Sequence, residues 1–174
     1  VFLHTCSAEI LRNGEAAEAL LRARDAGKVR YTGYSGDDTD ALEAISMGVF
    51  DALQVTFNII DQSALDEVLP AAERAGIGVV AKRPIANARL LPADSSHFHG
   101  GPHWDPVRQH LLDAGAWDDP LEASLRFTLS HPVIDSAIIG TTTLAHASEN
   151  ARRAAAEPLP PALLDALHNL APSS

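Results

Sequence analysis

Basic residues, cysteine and long apolar runs are all scarce in this 174-residue sequence, and each shortage removes a class of function. Lys and Arg number 13 against 23 Asp and Glu, a formal net charge of -10. Such a chain has no basic stripe with which to neutralise nucleic-acid phosphates or hold an anionic membrane surface, so neither partner is expected. The single cysteine, Cys6, excludes an intramolecular disulfide and suits a reducing compartment. Val1-Phe2-Leu3 is too short for the apolar core of a signal peptide, and no uninterrupted apolar run approaches membrane-spanning length. A cytoplasmic location is the default expectation. The first residue is not Met and the chain opens directly in a strand-like run, which reads as a fragment of a longer protein.

Apolar residues make up 46% of the chain, enough for one sizeable core, and the length favours a single domain over residues 1–174. Short apolar runs alternate with longer stretches of helical period about five times, the rhythm of βα units. The expected strands are Val1 to Cys6, Val29 to Ser35, Ala52 to Thr56, Ile77 to Ala81 and Ser136 to Ile139. The β-branched content of the fourth suggests burial on both faces. Helices are expected from about Gly14 to Ala26, Asp38 to Met47, Ser63 to Ala75, Pro106 to Ala114, Leu121 to Ser130, Leu144 to Ala156 and Pro161 to Leu170. Gly27, Gly48 and Gly76 act as stops, and Asp37 or Asp38 caps the second helix. Lys82 to Trp104 reads as a long loop and Pro172-Ser173-Ser174 as a tail.

Parallel strands with helical crossovers can form an open doubly wound sheet or a closed barrel. No Gly-rich dinucleotide fingerprint follows any strand, which favours the barrel. Five strands cannot close an eight-stranded barrel, so the fold class is α/β, a partial (β/α)8 TIM barrel with about five parallel strands and two bare edges. In that architecture sites collect at the C-terminal ends of strands. There the sequence sets His4, Ser35, Gln54 with Asn58, Lys82 with Arg83, and Gly140-Thr141-Thr142. This set holds no Ser-His-Asp triad, no phosphate-cradling Gly-Lys-Ser/Thr and no carboxylate pair, so it lacks the chemistry of a hydrolase triad, a nucleotide triphosphatase or a glycosidase.

Five stretches, in order, resemble successive motifs of the aldo-keto reductase family: Phe2-Leu3-His4, Gly27 through Ser35, Gly48 through Val55, Ile138 through Thr141, and Glu149-Asn150. The resemblance implies strands four to eight of that barrel, a nicotinamide cofactor across the strand ends, and reduction of a small-molecule carbonyl substrate in the intact protein. By position His4 resembles the histidine that polarises the substrate carbonyl. Ser35 and Gln54 match residues that hydrogen-bond the nicotinamide carboxamide, although Gly36 follows Ser35 where many members have Asn. Lys82 stands where the family often stacks an aromatic residue on the nicotinamide, and Arg83 and Asn87 fall near the pyrophosphate. Gly140, Thr141 and Thr142 fall at the adenosine phosphate end, and Glu149 and Asn150 at the adenine. NADP is the implied cofactor. Gly140 and His146 replace basic residues that many members use for its 2′-phosphate, so NAD stays open.

The family's proton-donating tyrosine, lysine and aspartate belong to units that precede this segment, and Tyr31 and Tyr34 do not match that position. The isolated chain is therefore expected to reduce nothing at a useful rate. Plainer readings accompany each residue: His4 as a core histidine, Gln54 as an internal hydrogen-bonding group, Cys6 as a small buried apolar residue, and Glu149-Asn150 as helix-face polarity beside Arg152 and Arg153. His97, His99 and His103 are read as solvated loop histidines rather than a metal site. Two other classes stay open, a non-catalytic nicotinamide-binding protein on the same barrel and a Lys82-based lyase or metal-dependent hydrolase. The sequence sets neither the substrate nor an oligomeric state.

Overall fold

The computed structural model describes residues 1–4, 6–90, 105–116, 118–168 and 170. In chain order the elements are β1 (Phe2–His4), α1 (Ala8–Asn13), α2 (Glu15–Asp25), β2 (Gly33–Ser35), α3 (Asp38–Ser46), β3 (Ala52–Thr56), α4 (Val68–Ala75), β4 (Gly78–Lys82), α5 (Asp105–Asp113), α6 (Pro120–Leu129), β5 (Ser136–Ile138), α7 (Leu144–Ala154) and α8 (Pro161–His168). The strands are parallel and ordered β1-β2-β3-β4-β5, with helices flanking them, so β1 and β5 stand at the two ends of the sheet. The chain separates into two compact units, Val1–Thr56 with Ser63–Val80, and Phe57–Gln62 with Ala81–Ser174.

In the first unit the strand pairing aligns Phe2, Gly33 and Ala52 in one row, Leu3, Tyr34 and Leu53 in the next, and His4, Ser35 and Gln54 in the last. Side chains alternate between faces along a strand, so the first and third rows share one face and the middle row the other. Tyr34, Leu53 and Val55 are almost completely buried, and α3, with Ala41 and Ala44 buried, packs on β2 and β3. Burial of side chains of the size of Leu53 contributes about 1.5–3 kcal/mol each. Phe2, on the opposite face, is 38% exposed.

Backbone chemistry sets the element ends. Gly14, at φ 82, closes α1 by donating its N–H to the Leu11 carbonyl at 2.9 Å, and the chain restarts as α2. The helix expected from about Gly14 to Ala26 is α2, and α1, ahead of that left-handed turn, is an element the sequence reading did not include. The strand expected from Val29 pairs only from Gly33, because Thr32 is engaged elsewhere. Its N–H donates to Asp51 Oδ2 at 2.7 Å and its hydroxyl donates to the Val49 carbonyl at 2.9 Å. The bond from the Thr32 N–H, more than the neighbouring Arg24, holds the Asp51 carboxyl below its usual range. The helix expected near Ser63 starts as a 3-10 turn, Ser63–Leu65, and α4 follows. In β4 only Val79 and Ala81 are fully buried while Gly78, Val80 and Lys82 are half-buried, so one face rather than both is closed by the described residues.

The second unit is built on α6. Asp119 caps it, its carboxylate accepting the Glu122 N–H at 3.0 Å, with Pro120 in the first turn. Asp119 also accepts from Arg152 at 3.4 Å and Arg153 at 2.8 Å, tying α7 to the start of α6. At the other end of α6, Phe57, Phe127, His131 and His168 form an aromatic cluster, with Phe57 and His131 edge to face at 4.7 Å. His131 Nδ1 lies 2.8 Å from the Phe127 carbonyl and so carries a proton, which leaves Nε2 to accept from His168 Nε2 at 2.8 Å. Gln62, on the segment before the first unit's second stretch, donates to the carbonyls of Ile59 and Leu167 and so holds α8 in place. No described helix is long and apolar enough to cross a membrane. His97, His99, His103, most of the expected long loop and the Pro172-Ser173-Ser174 tail lie outside the described residues.

Candidate active site and cofactor cavity

His4, Ser35 and Gln54 form one row at the C-terminal ends of β1 and β2 and near that of β3. Adjacent strands lie about 4.8 Å apart, so a planar group laid across the row can reach neighbouring side chains. The three differ in setting. His4 is exposed, Gln54 is half-buried, and Ser35 is 2% exposed. Ser35 Oγ is buried and has no hydrogen-bond partner among the described residues. Leaving a buried hydroxyl unpaired costs about 1–3 kcal/mol, so this oxygen carries an unmet hydrogen bond.

The turn after β2 is fixed by close packing. The Tyr34 hydroxyl donates to the Cys6 carbonyl, and its ring lies against Phe50 with centroids 5.9 Å apart. A Cβ on Gly36 would fall 2.6 Å from Tyr34 Cε1 and Cζ, so the tyrosine ring occupies the room a side chain would need. That contact accounts for Gly36 where the resemblance leads one to expect Asn. Burial, with Asp40 nearby, pushes the Tyr34 phenol up to about 12. Asp37 sits at the N-cap position of α3 but forms no side-chain cap. Its carboxylate instead accepts from Thr56 N at 2.6 Å and Thr56 Oγ1 at 3.1 Å.

In the second unit a cavity of about 730 Å³ is lined by Gly140, Thr141, Thr142, His146, Glu149 and Asn150, together with Ile85, Asn87, Ala88, Leu121 and Arg153. The residues after β5, the first two turns of α7 and the turn after β4 thus converge. Thr143 caps α7 by accepting the His146 N–H at 3.2 Å, which sets the Thr141-Thr142 pair just ahead of a helix N-terminus, where N–H groups suit an anion. Glu149 is held ionised chiefly by its bond from Arg152, and Asn150 Oδ1 accepts from Arg153 at 3.1 Å. Arg153, read from sequence only as surface polarity beside Glu149-Asn150, is 16% exposed at its side chain and lines the cavity. Its spacing of four from Glu149 and seven from His146 puts it on the same helix face, and helical periodicity is the signal that finds it.

The turn carrying Arg83 and Asn87 is unusual. Arg83, Ala86, Asn87 and Ala88 have φ of 59, 50, 52 and 59. Left-handed backbone costs non-glycine residues roughly 1–2 kcal/mol each. Asn87 reaches the cavity, whereas Arg83 is exposed and is not part of its lining. Lys82 ends β4, half-buried, and is likewise not in the lining. No group of three or more His, Cys, Asp or Glu suited to a metal occurs among the described residues.

The family model described as Aldo/keto reductase family matches residues 7–171. Among curated proteins, the chain is 29% identical over 154 residues to a D-threo-aldose 1-dehydrogenase of Pseudomonas sp, covering 82% of this chain and 46% of that protein. It is 24% identical over 150 residues to an L-galactose dehydrogenase of Arabidopsis thaliana, covering 78% and 45%. The chain thus spans about half the length of the curated relatives it matches. Among solved structures, an aldo-keto reductase from Bacillus halodurans in its holo form superposes with a TM-score of 0.81 at 22% identity, covering 99% of this chain and 60% of that one. An aldo-keto reductase from Klebsiella pneumoniae, solved with NADP and acetate, gives a TM-score of 0.71 at 21% identity, covering 99% and 59%. The fold is that of these (β/α)8-barrel neighbours. With the family model running through nearly the whole chain and the five strands in the order the barrel requires, the chain belongs to the aldo/keto reductase family of oxidoreductases.

Proposed function

We propose that this chain is the part of an NADP-linked carbonyl reductase that holds most of the cofactor and contributes one active-site histidine. The observation that carries the reading is the unpaired, buried Ser35 Oγ in register with His4 and Gln54. A carboxamide offers both a donor and an acceptor, the complement of a serine hydroxyl beside a glutamine amide. In the second unit, the Thr141-Thr142 pair at the start of α7 and the Glu149-Asn150 pair in the same cavity suit a phosphate and a nucleoside base, respectively. The Klebsiella neighbour's NADP supports that cofactor class, with NAD as the alternative.

When bound, the reduced cofactor supplies hydride to a carbonyl carbon. Ser35 and Gln54 would fix the orientation of the carboxamide and so choose the face that reacts. His4, exposed at the end of β1, would donate a hydrogen bond to the substrate oxygen and stabilise the charge that grows there. Neither tyrosine in the chain is suited to protonating that oxygen. Tyr34 donates its hydroxyl to Cys6 and is buried on the other face, and Tyr31 is 65% exposed ahead of β2. General acid catalysis is worth roughly 10² to 10⁴-fold, so the chain by itself should bind cofactor without turning over a carbonyl. The same fact supports the second reading, a nicotinamide-binding protein without catalysis.

Titration of NADPH fluorescence with the purified 174-residue chain tests the proposal. Saturable binding, weakened about ten-fold or more by Ser35→Ala, is expected. Absence of binding, or equal binding by the Ser35 variant, would sink the assignment of this row. Detectable NADPH-dependent reduction of an aldehyde by the chain would overturn the expectation that it turns over no carbonyl by itself.

A further inference from the structure

Asp37 stands where a helix cap is expected, yet its carboxylate is turned to another task. Its backbone is extended, at φ -130 and ψ 171, and carries the side chain from the end of β2 across to the end of β3. There it accepts two bonds from one residue, Thr56, at 2.6 Å from the main-chain N and 3.1 Å from Oγ1. Beside this clasp, Gly36 N–H donates to the Gln54 carbonyl at 3.2 Å. Ser35 lies two residues before Asp37 and Gln54 two residues before Thr56, so the clasp closes the ends of the two strands that carry the carboxamide-facing pair. Hydrogen bonds to an ionised acceptor are shorter and stronger than neutral ones, and α3 gives up its own cap to make these.

We propose that Asp37 is a positioning residue for the Ser35–Gln54 pair, holding the two side chains at the spacing that a nicotinamide carboxamide requires. The inference rests on the cofactor reading given above. Asp37 does not touch the ligand. It acts through Thr56, and removing it frees the ends of β2 and β3 to separate while their pairing at Gly33 with Ala52 and Tyr34 with Leu53 persists.

The test compares two probes on the 174-residue chain, NADPH and the fragment 2′,5′-ADP, which lacks the nicotinamide. Asp37→Ala is expected to weaken NADPH binding about ten-fold, the scale of one misplaced hydrogen bond, and to leave 2′,5′-ADP binding unchanged. Asp37→Asn keeps an acceptor for Thr56 N–H and should recover most of the loss. NADPH affinity within two-fold of the original in Asp37→Ala would overturn the proposal, as would equal weakening of both probes, which marks general damage. Ser35→Ala separates the two levels of inference. If it weakens NADPH while Asp37→Ala does not, only the positioning role falls. If Ser35→Ala itself has no effect, the carboxamide reading falls and the positioning role with it.

Discussion

Adding a single methyl at Gly36 should unpick the end of β2. The backbone there is outside the left-handed region, so alanine meets no conformational barrier and any cost is steric. The new Cβ would lie 2.6 Å from two ring atoms of Tyr34, well inside van der Waals contact. Such a clash is cheap when the neighbour is a loose side-chain tip, but Tyr34 is fully buried, packed on Phe50 and bonded to the Cys6 carbonyl. Moving it costs about 1–3 kcal/mol of overpacking and about 1 kcal/mol for the lost hydrogen bond. Alanine returns roughly 0.4–1 kcal/mol by restricting the unfolded chain. The net expectation is a loss of about 1–3 kcal/mol, read as a lower urea midpoint at unchanged slope. In a Tyr34→Ala background the methyl has room, and the same substitution should cost close to nothing. A Gly36→Ala protein as stable as the original, or a cost that persists without the tyrosine ring, would refute the packing argument.

Two further expectations concern the second unit. Ala88→Gly removes the left-handed strain at φ 59, and after the roughly 0.5–1 kcal/mol that glycine flexibility costs, thermal melting should show a net gain of about 0.5–1 kcal/mol. His131 is held below its usual 6.5, mainly by burial and in part by the nearby His168. Its neutral form is therefore the folded form, and its contribution to stability is present above 6.5 and lost as pH falls below that value toward the lowered folded pKa. Urea midpoints should decline between about pH 7 and 5 in the native chain and decline less in His131→Gln; parallel pH profiles would contradict this.

The strands and most helices were legible because their signals are local. Ala52–Thr56 is read from sequence with the bounds that the structure gives it, and Gly76 stops α4 where a stop was expected. Where reading and structure part, a side chain has taken over a backbone group or a turn has intervened. Thr32 gives its N–H to Asp51 and so shortens β2, a separate α1 precedes the left-handed Gly14 where no helix is expected, and Asp37 abandons its cap for Thr56. The row of His4, Ser35 and Gln54 was foreseeable as strand-end polarity, but its register was not, because pairing depends on partners far apart in the chain. The unpaired state of Ser35 Oγ arises only in the folded chain, from the packing around it.

The pairing of β1, β2 and β3 in a common row also decides where this chain can change in length. One residue gained between Gly33 and Ser35 would rotate a fully buried tyrosine into the place of a serine and turn the binding face inside out. One gained before Thr32, ahead of the paired segment, would leave every partner where it is. Insertions in a directed library should therefore survive upstream of Thr32 and vanish from Gly33 through Ser35.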